Sequence, residues 1–276
     1  MTRIVNNCVA LVCLCLFWGQ SLRAADASHS EQIKWGNESV FNEEHNTLGL
    51  FSGVLGGQIV LAGGTSDDYS RWGRNAVCLS ENAGFALYED VLSKPLAYGA
   101  SITLSDGILC IGGRDSSQCY KDVFLVTMQQ GKLNVSEDWP PLPFPLSNAA
   151  GALLDNKVYL FGGRKSVSPS RLSDSFFVLD LSNKSRGWKE LPGYPGCVRE
   201  DAILVVQNNG VSPCLYLLGG QTETEEGLSS CLTDGYVYNP QLGKWSSLGS
   251  DFPKGICAAV ASGANLSLIH ISEPTR

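Results

Sequence analysis

Histidine is almost missing from this chain: of 276 residues, only His29, His45 and His270 are histidines. Imidazole is the commonest nitrogen ligand for zinc and copper, so no metal centre is expected. A copper radical oxidase, which needs histidine ligands, is excluded with it. Charged residues make up 17% of the chain and the formal net charge is −7. No run of Lys or Arg interrupts that acidity, so no nucleic-acid partner is expected. No apolar run reaches the ~20 residues that a membrane-spanning helix requires.

The two ends read as processing or foreign segments. Arg3, an apolar run over residues 8–17, and the small residues Ala24, Ala25 and Ala27 predict a signal peptide over residues 1–27. The protein is therefore expected to be exported, to the periplasm or beyond, with no membrane span after cleavage. At the other end, residues 266–276 read Leu-Ser-Leu-Ile-His-Ile-Ser-Glu-Pro-Thr-Arg. That string looks like the in-frame translation of a transposase-based sequencing adapter and is set aside from fold reasoning. The natural chain is expected to continue past Asn265.

Cysteine is not scarce. Beyond the leader lie Cys78, Cys110, Cys119, Cys197, Cys214, Cys231 and Cys257. Their spacing matches no metal template and their number is odd. Most are expected to pack as small apolar side chains. Cys214 and Cys231 flank one loop and form the candidate bridge.

What the chain has in abundance is a period. Leu61-Ala62-Gly63-Gly64, Cys110-Ile111-Gly112-Gly113, Leu160-Phe161-Gly162-Gly163 and Leu217-Leu218-Gly219-Gly220 each end a short apolar run, with first glycines 49, 50 and 57 residues apart. A Trp followed by Leu recurs in step at Trp139, Trp188 and Trp245, and Tyr88 fills the same slot in the first repeat. Asp122, Asp174 and Asp234 precede β-rich stretches. A Gly-Gly period near 50 marks kelch-type propeller blades, which must stack to bury their faces. The expectation is an all-β propeller over residues 28–265, with about four blades of an expected six and a fifth opening at Gly255.

Each blade begins with a hairpin: a strand, a turn such as Ser105-Asp106-Gly107, and an apolar strand ending in Gly-Gly. A hairpin's two ends lie on one side. Tyr98, Asn148 and Arg199 therefore gather at one mouth of the tunnel with Thr65, Arg114, Arg164 and Gln221, and Asp115 and Glu200 sit alongside. Three arginines on an acidic protein suggest an anionic ligand, since the guanidinium fork matches a carboxylate bidentately. Local pairing of those arginines with Asp115 or Glu200 is the competing interpretation.

Between Ala97 and Gly163 the pattern Ala-Tyr-Gly-Ala-Ser, Asp-Gly-Ile-Leu-Cys-Ile-Gly-Gly-Arg-Asp and Trp-Pro-Pro-Leu-Pro-Phe-Pro-Leu-Ser-Asn-Ala-Ala-Gly-Ala-Leu resembles the cyclically permuted mutarotases. These are kelch-propeller relatives of N-acetylneuraminate epimerase, and the resemblance runs from Leu48 to about Ala261. It implies an exported six-bladed propeller that interconverts the anomers of sialic acid by acid–base catalysis, with no metal or organic cofactor. A small anionic sugar is the partner it implies. The family's Gly-Glu-x-x-Pro-Gly-x-Arg-Thr segment, whose Glu accepts the proton, is not in this sequence, and Gly220-Gln221 keeps only part of its start. The catalytic Glu is expected beyond Asn265. A kelch scaffold that binds a protein or glycan without catalysis is the alternative function.

Overall fold

A computed structural model of the chain describes residues 48–80, 84–224, 227–249 and 251–259. The predicted signal peptide, the residues 266–276 and all three histidines lie outside the described residues.

The apolar runs become strands of four antiparallel sheets. The first holds β1 (Leu48–Leu55), β2 (Gln58–Thr65), β3 (Ala76–Ser80) and β4 (Gly84–Tyr88). The second holds β5 (Ala100–Thr103), β6 (Ile108–Ile111), β7 (Val123–Gln129) and β8 (Lys132–Ser136). In the third, β9 (Ala150–Leu154) and β10 (Lys157–Phe161) pair with β13 (Phe176–Asp180) and β14 (Lys189–Glu190), and a small hairpin of β11 (Arg164–Ser166) and β12 (Arg171–Leu172) projects after the Gly-Gly. The fourth pairs β15 (Ile203–Asn208), β16 (Pro213–Leu218), β19 (Gly235–Asn239) and β20 (Lys244–Ser247), with β17 (Gln221–Glu223) and β18 (Ser229–Cys231) as its projecting hairpin. The first strands β1, β5, β9 and β15 neighbour one another in turn, which makes them the inner strands of four successive propeller blades.

The strands show why one blade cannot stand alone. On β6, Ile108 and Cys110 enter a core shared with Phe51, Val60 and Ala62 of the blade before, while Leu109 and Ile111 enter a core shared with Val158 and Leu160 of the blade after. On β10 the alternation repeats: Val158 and Leu160 face back, and Tyr159 and Phe161 face forward to Leu215 and Leu217. Alternate side chains of a strand point to opposite faces. A second strand that is apolar throughout is therefore the seam between two inter-blade cores.

The Gly-Gly pairs fix how blades meet. At Gly112 φ is +63°, a left-handed conformation, and a Cβ there would stand 2.2 Å from the carbonyl oxygen of Leu146 in the next blade. The amide of Gly113 donates to that same oxygen at 2.8 Å. The bond recurs from Gly64 to Leu96, from Gly163 to Arg199 and from Gly220 to Ile256. These four acceptors share one register position. At three of them the side chain is Leu or Ile. At the other it is Arg199, which is wholly buried.

Around the axis runs a second chain of bonds. The amide of Tyr98 donates to Gly49, Asn148 to Tyr98, Asp201 to Asn148 and Ala258 to Asp201, at 2.7, 2.7, 3.0 and 3.0 Å. Each member of this ring holds a positive φ, between 49° and 65°. The ring residue of the fourth blade is thus Asp201, not Arg199 as the sequence predicts. The spacing from ring residue to Gly-Gly is 14 in the first three blades and 18 in the fourth. The added length lies in the β15–β16 hairpin, whose register runs out to Asn208 and Pro213.

Candidate functional site

At the axial ring lies a cavity of about 200 Å³, lined among others by Leu50, Tyr98, Asn148, Asp201, Ala202 and Ala258. The polar wall comes from the ring residues themselves. Their left-handed backbone is what carries these side chains to the axis.

Arg114, Arg164 and Gln221 follow the Gly-Gly pairs as predicted and bridge back to Ala97, Ser147 and Glu200. The three arginines differ in what surrounds them. Arg164 is a fork on Glu200: Nε donates to Oε2 at 2.8 Å and Nη2 to Oε1, while Nη2 also reaches Oε1 of Glu223 at 3.1 Å. Those bonds to Glu200 hold the Arg164 guanidinium well above its ordinary pKa. Glu200 is 4% exposed at its side chain and is fully matched by this pairing.

Arg199 is not among the residues that line the axial cavity. Its guanidinium donates to both carboxylate oxygens of Asp234 at 2.7 Å and to the carbonyl of Gly219 at 2.7 Å. Nε donates to the Tyr194 hydroxyl at 2.8 Å, and the rings of Tyr194 and Tyr236 flank the charge. Burial alone would raise the Asp234 carboxyl, but the bonds and charge of Arg199 outweigh it and hold that carboxyl below its ordinary range. This arginine is a buried lock that ties the fourth blade to the segment leading into it. The sequence places it at the mouth because a charged side chain two residues before the ring was counted as the ring residue.

Arg114 remains. Its guanidinium carbon stands 4.7 Å from the Tyr98 ring and 5.2 Å from the Trp72 ring, a cation held between two aromatics. Its one hydrogen bond to a protein atom among the described residues, Nη1 to the carbonyl of Asp115 at 3.4 Å, is long. Among the described residues no carboxylate pairs with it. Arg114 is therefore the ring-side cation with donors still open.

The two predicted acids are engaged elsewhere. Asp115 accepts from the amides of Ser117 and Gln118, from the Ser117 hydroxyl and from the Tyr120 hydroxyl. Its partial burial opposes ionisation, yet these donors bring its pKa down to about 2. It shapes its own loop. Sequence reasoning missed Asp201 and Trp72. Asp201 Oδ1 accepts from Asn148 Nδ2 at 2.9 Å and Oδ2 from Gln221 Nε2 at 2.8 Å. The period itself could have found it, had the hairpin been extended by four residues instead of six.

Among the described residues no cluster of His, Cys, Asp and Glu is arranged to hold a metal ion. The predicted Cys214–Cys231 bridge is not formed. Cys231 pairs with Cys257, tying the projecting hairpin of the fourth blade to the segment that follows it, while Cys214 is free and buried in β16. Spacing cannot show that β16 turns Cys214 into the core and that residues 255–258 return beside β18.

Comparison with known proteins gives this geometry a context. A family model matches residues 139–271, which take in the third and fourth blades. It is that of N-acetylneuraminate epimerase. A protein of that name from Yersinia pestis (strain Pestoides F) is 30% identical over 129 residues, covering 46% of this chain and 30% of the relative. One from Haemophilus influenzae (strain PittEE) is 28% identical over 145 residues, covering 49% of this chain and 36% of the relative. A Vibrio cholerae kelch domain-containing protein is 31% identical over 121 residues, covering 44% and 31%. The chain thus spans about a third of the length of the curated relatives it matches. The solved structure of YjhT superposes with a TM-score of 0.63 over 79% of this chain and 74% of that one, at 15% identity, and shares the propeller fold. The resemblance read from residues 97–163 is thereby carried by relatives named N-acetylneuraminate epimerase, although the family match begins only at Trp139.

Proposed function

We propose that the axial cavity binds a sialic-acid-type sugar and that the protein interconverts the anomers of N-acetylneuraminate. The observation that supports it most is Arg114: a guanidinium held against the rings of Trp72 and Tyr98, the second of which lines the cavity, with no carboxylate paired to it among the described residues. A sugar acid supplies that carboxylate. The two rings restrict the side chain before the ligand arrives, which lowers the entropic cost of ordering it on binding. The relatives named N-acetylneuraminate epimerase favour the same substrate class.

The chemistry is proton transfer. A base takes the proton of the anomeric hydroxyl, the ring oxygen takes one up, the ring opens and it recloses on the other face. Groups positioned for such transfers contribute roughly 10²–10⁴-fold. The reading also includes export, since the predicted signal peptide and the Cys231–Cys257 disulfide suit one oxidising compartment.

A chemical-shift titration with N-acetylneuraminate tests the binding half. Charge-assisted hydrogen bonds are worth roughly 1.5–3 kcal/mol, so Arg114→Ala should weaken binding ~10- to 100-fold. Arg114→Lys should recover only part of the loss, because a point charge lacks the fork. Lys132→Ala, at the exposed start of β8, should be neutral. Equal affinity of Arg114→Ala and the unaltered chain would remove the arginine from the site. Binding without anomer exchange would leave the scaffold reading.

A further inference from the structure

We infer that the seam between the first and second blades holds a second ligand site, apart from the axial cavity, that takes a neutral pyranose sugar. The inference does not depend on how the axis is read. At the Gly-Gly end of that seam, where Leu96 accepts from Gly64 and Asp122 from Gly112, lies a cavity of about 450 Å³. It is more than twice the axial one, at about 200 Å³. Leu92, Leu96, Phe124 and Val135 make its apolar floor. Lys94, Asp122, Glu137 and Trp139 bring polar groups to its wall.

One residue accounts for the gap. Leu96 and Leu146 accept the same inter-blade bond, from Gly64 and Gly113, so Lys94 and Phe144 stand two residues before equivalent positions. Phe124 pairs with Cys110 and Phe177 with Leu160, residues that occupy the same place before their Gly-Gly pairs, so the two phenylalanines are counterparts as well. At the seam between the second and third blades, the Phe144 ring packs against Phe177 with centroids 5.4 Å apart. At the seam before it a lysine stands in place of that ring. The Lys94 ammonium turns to Asp122 Oδ2 at 2.6 Å and to the Tyr120 ring, 4.6 Å from its centroid. Interiors are otherwise close-packed, and here the space beside Phe124 stays open.

The lining selects the ligand. An apolar and aromatic floor suits the C–H face of a pyranose, and the wall suits its hydroxyls, since carboxylates accept hydrogen bonds and an ammonium donates them. Trp188 of the third blade spends its indole N–H on the Pro140 carbonyl at 3.0 Å. The indole N–H of Trp139 has no such partner among the described residues. Lys184 Nζ, 4.0 Å from the Trp139 ring centroid, sits over that ring. Glu137 is exposed and in no ion pair among the described residues. Within the lining, two carboxylates face one ammonium. That balance disfavours a sugar acid, because like charges brought together are penalised. The ligand is therefore a neutral sugar.

The test titrates three neutral sugars, methyl β-galactoside, methyl β-glucoside and N-acetylglucosamine, and follows the Trp139 indole N–H signal by NMR, assigned by its loss in Trp139→Phe. At least one of them should shift that signal saturably, with a Kd on the order of 1 mM. N-acetylneuraminate at the same concentration should shift it less. Lys94→Phe fills the gap as Phe144 does at the next seam. It should weaken the neutral sugar by more than ~10-fold, the change that marks a lost site, and leave the response to N-acetylneuraminate elsewhere in the spectrum as it was. Should Lys94→Phe fail to fold, Glu137→Ala on the exposed rim should still weaken the neutral sugar several-fold. No saturable shift with any of the three sugars overturns the inference. A shift that survives unchanged in Lys94→Phe, or one that N-acetylneuraminate produces more strongly, overturns it too. Neutral-sugar binding here without any binding of N-acetylneuraminate would uphold this site and remove the reading of the axis.

Discussion

Replacing Arg199 by alanine should destabilise the propeller and leave the ligand site's chemistry in place. The truncation removes six bonds at once: two to Asp234, one to the Gly219 carbonyl, one to the Tyr194 hydroxyl and two to Cys197, at its carbonyl and its Sγ. Asp234 keeps the Tyr236 hydroxyl as its side-chain donor, and the Gly219 carbonyl loses its own. Breaking a buried ion pair by removing one partner costs about 3–5 kcal/mol. The Asp234 side chain is 27% exposed, so water relieves part of that cost, and the low end, about 3 kcal/mol, is expected. For a domain of this size that corresponds to a fall in melting temperature of roughly 6–12 °C. A second variant isolates the charge. Leu96 and Leu146 fill the same register position in other blades, so Arg199→Leu combined with Asp234→Asn removes both charges while keeping an apolar plug. That double variant should recover most of the loss, because a buried pair replaced by neutral groups is often close to neutral in stability. Urea unfolding at pH 7 measures both. The pair should also stabilise only above the ordinary aspartate pKa, fading as pH falls through the lowered value of Asp234. An Arg199→Ala protein within about 0.5 kcal/mol of the unaltered chain, the range of ordinary surface changes, would refute the lock.

Gly112→Ala should cost more than the ~1–2 kcal/mol of a left-handed L-residue, because its Cβ would also meet the Leu146 carbonyl at 2.2 Å; thermal unfolding checks this. Alkylation of the folded protein should label Cys197 quickly and Cys78, Cys110, Cys119 and Cys214 only on unfolding, with Cys231 and Cys257 blocked until reduced; mass spectrometry reads the order. Reducing that disulfide, with partners 26 residues apart, should cost about 3.5 kcal/mol on the chain-entropy account. Asp201→Asn should gain stability relative to the unaltered chain as pH rises: a carboxyl raised in the folded state gives stability below its unfolded pKa that is lost through the raised one. Parallel melts at pH 4 and pH 7 show the sign.

The blades were legible in the sequence because their markers are backbone requirements. Gly112-Gly113 and its counterparts must take left-handed φ and admit a neighbouring carbonyl, so nothing but glycine serves and the period stays visible. The wholly apolar β6 was legible because a strand between two cores has no polar face. The site was legible only in part. Tyr98, Asn148, Arg114 and Arg164 fell at their predicted positions since the first hairpins are of constant length. Arg199 was misplaced because polarity suggested exposure, whereas Asp234, Tyr194 and Tyr236 from elsewhere in the fourth blade and its approach make burial tolerable. Asp201 was hidden behind it by two residues. That Arg164 is answered by Glu200 and Arg114 is not depends on side chains brought together across blades, which spacing does not encode.

The central claim, a propeller whose axis holds and turns over a sugar acid, is tested most directly by exchange spectroscopy on N-acetylneuraminate with and without the protein. The two anomers give separate NMR signals, and their interconversion is read from cross-peaks. The account predicts exchange accelerated by the unaltered chain and weakened, at sub-saturating sugar, in Arg114→Ala while that variant stays folded. Exchange no faster than in buffer, at protein concentrations where the propeller is intact, would contradict it.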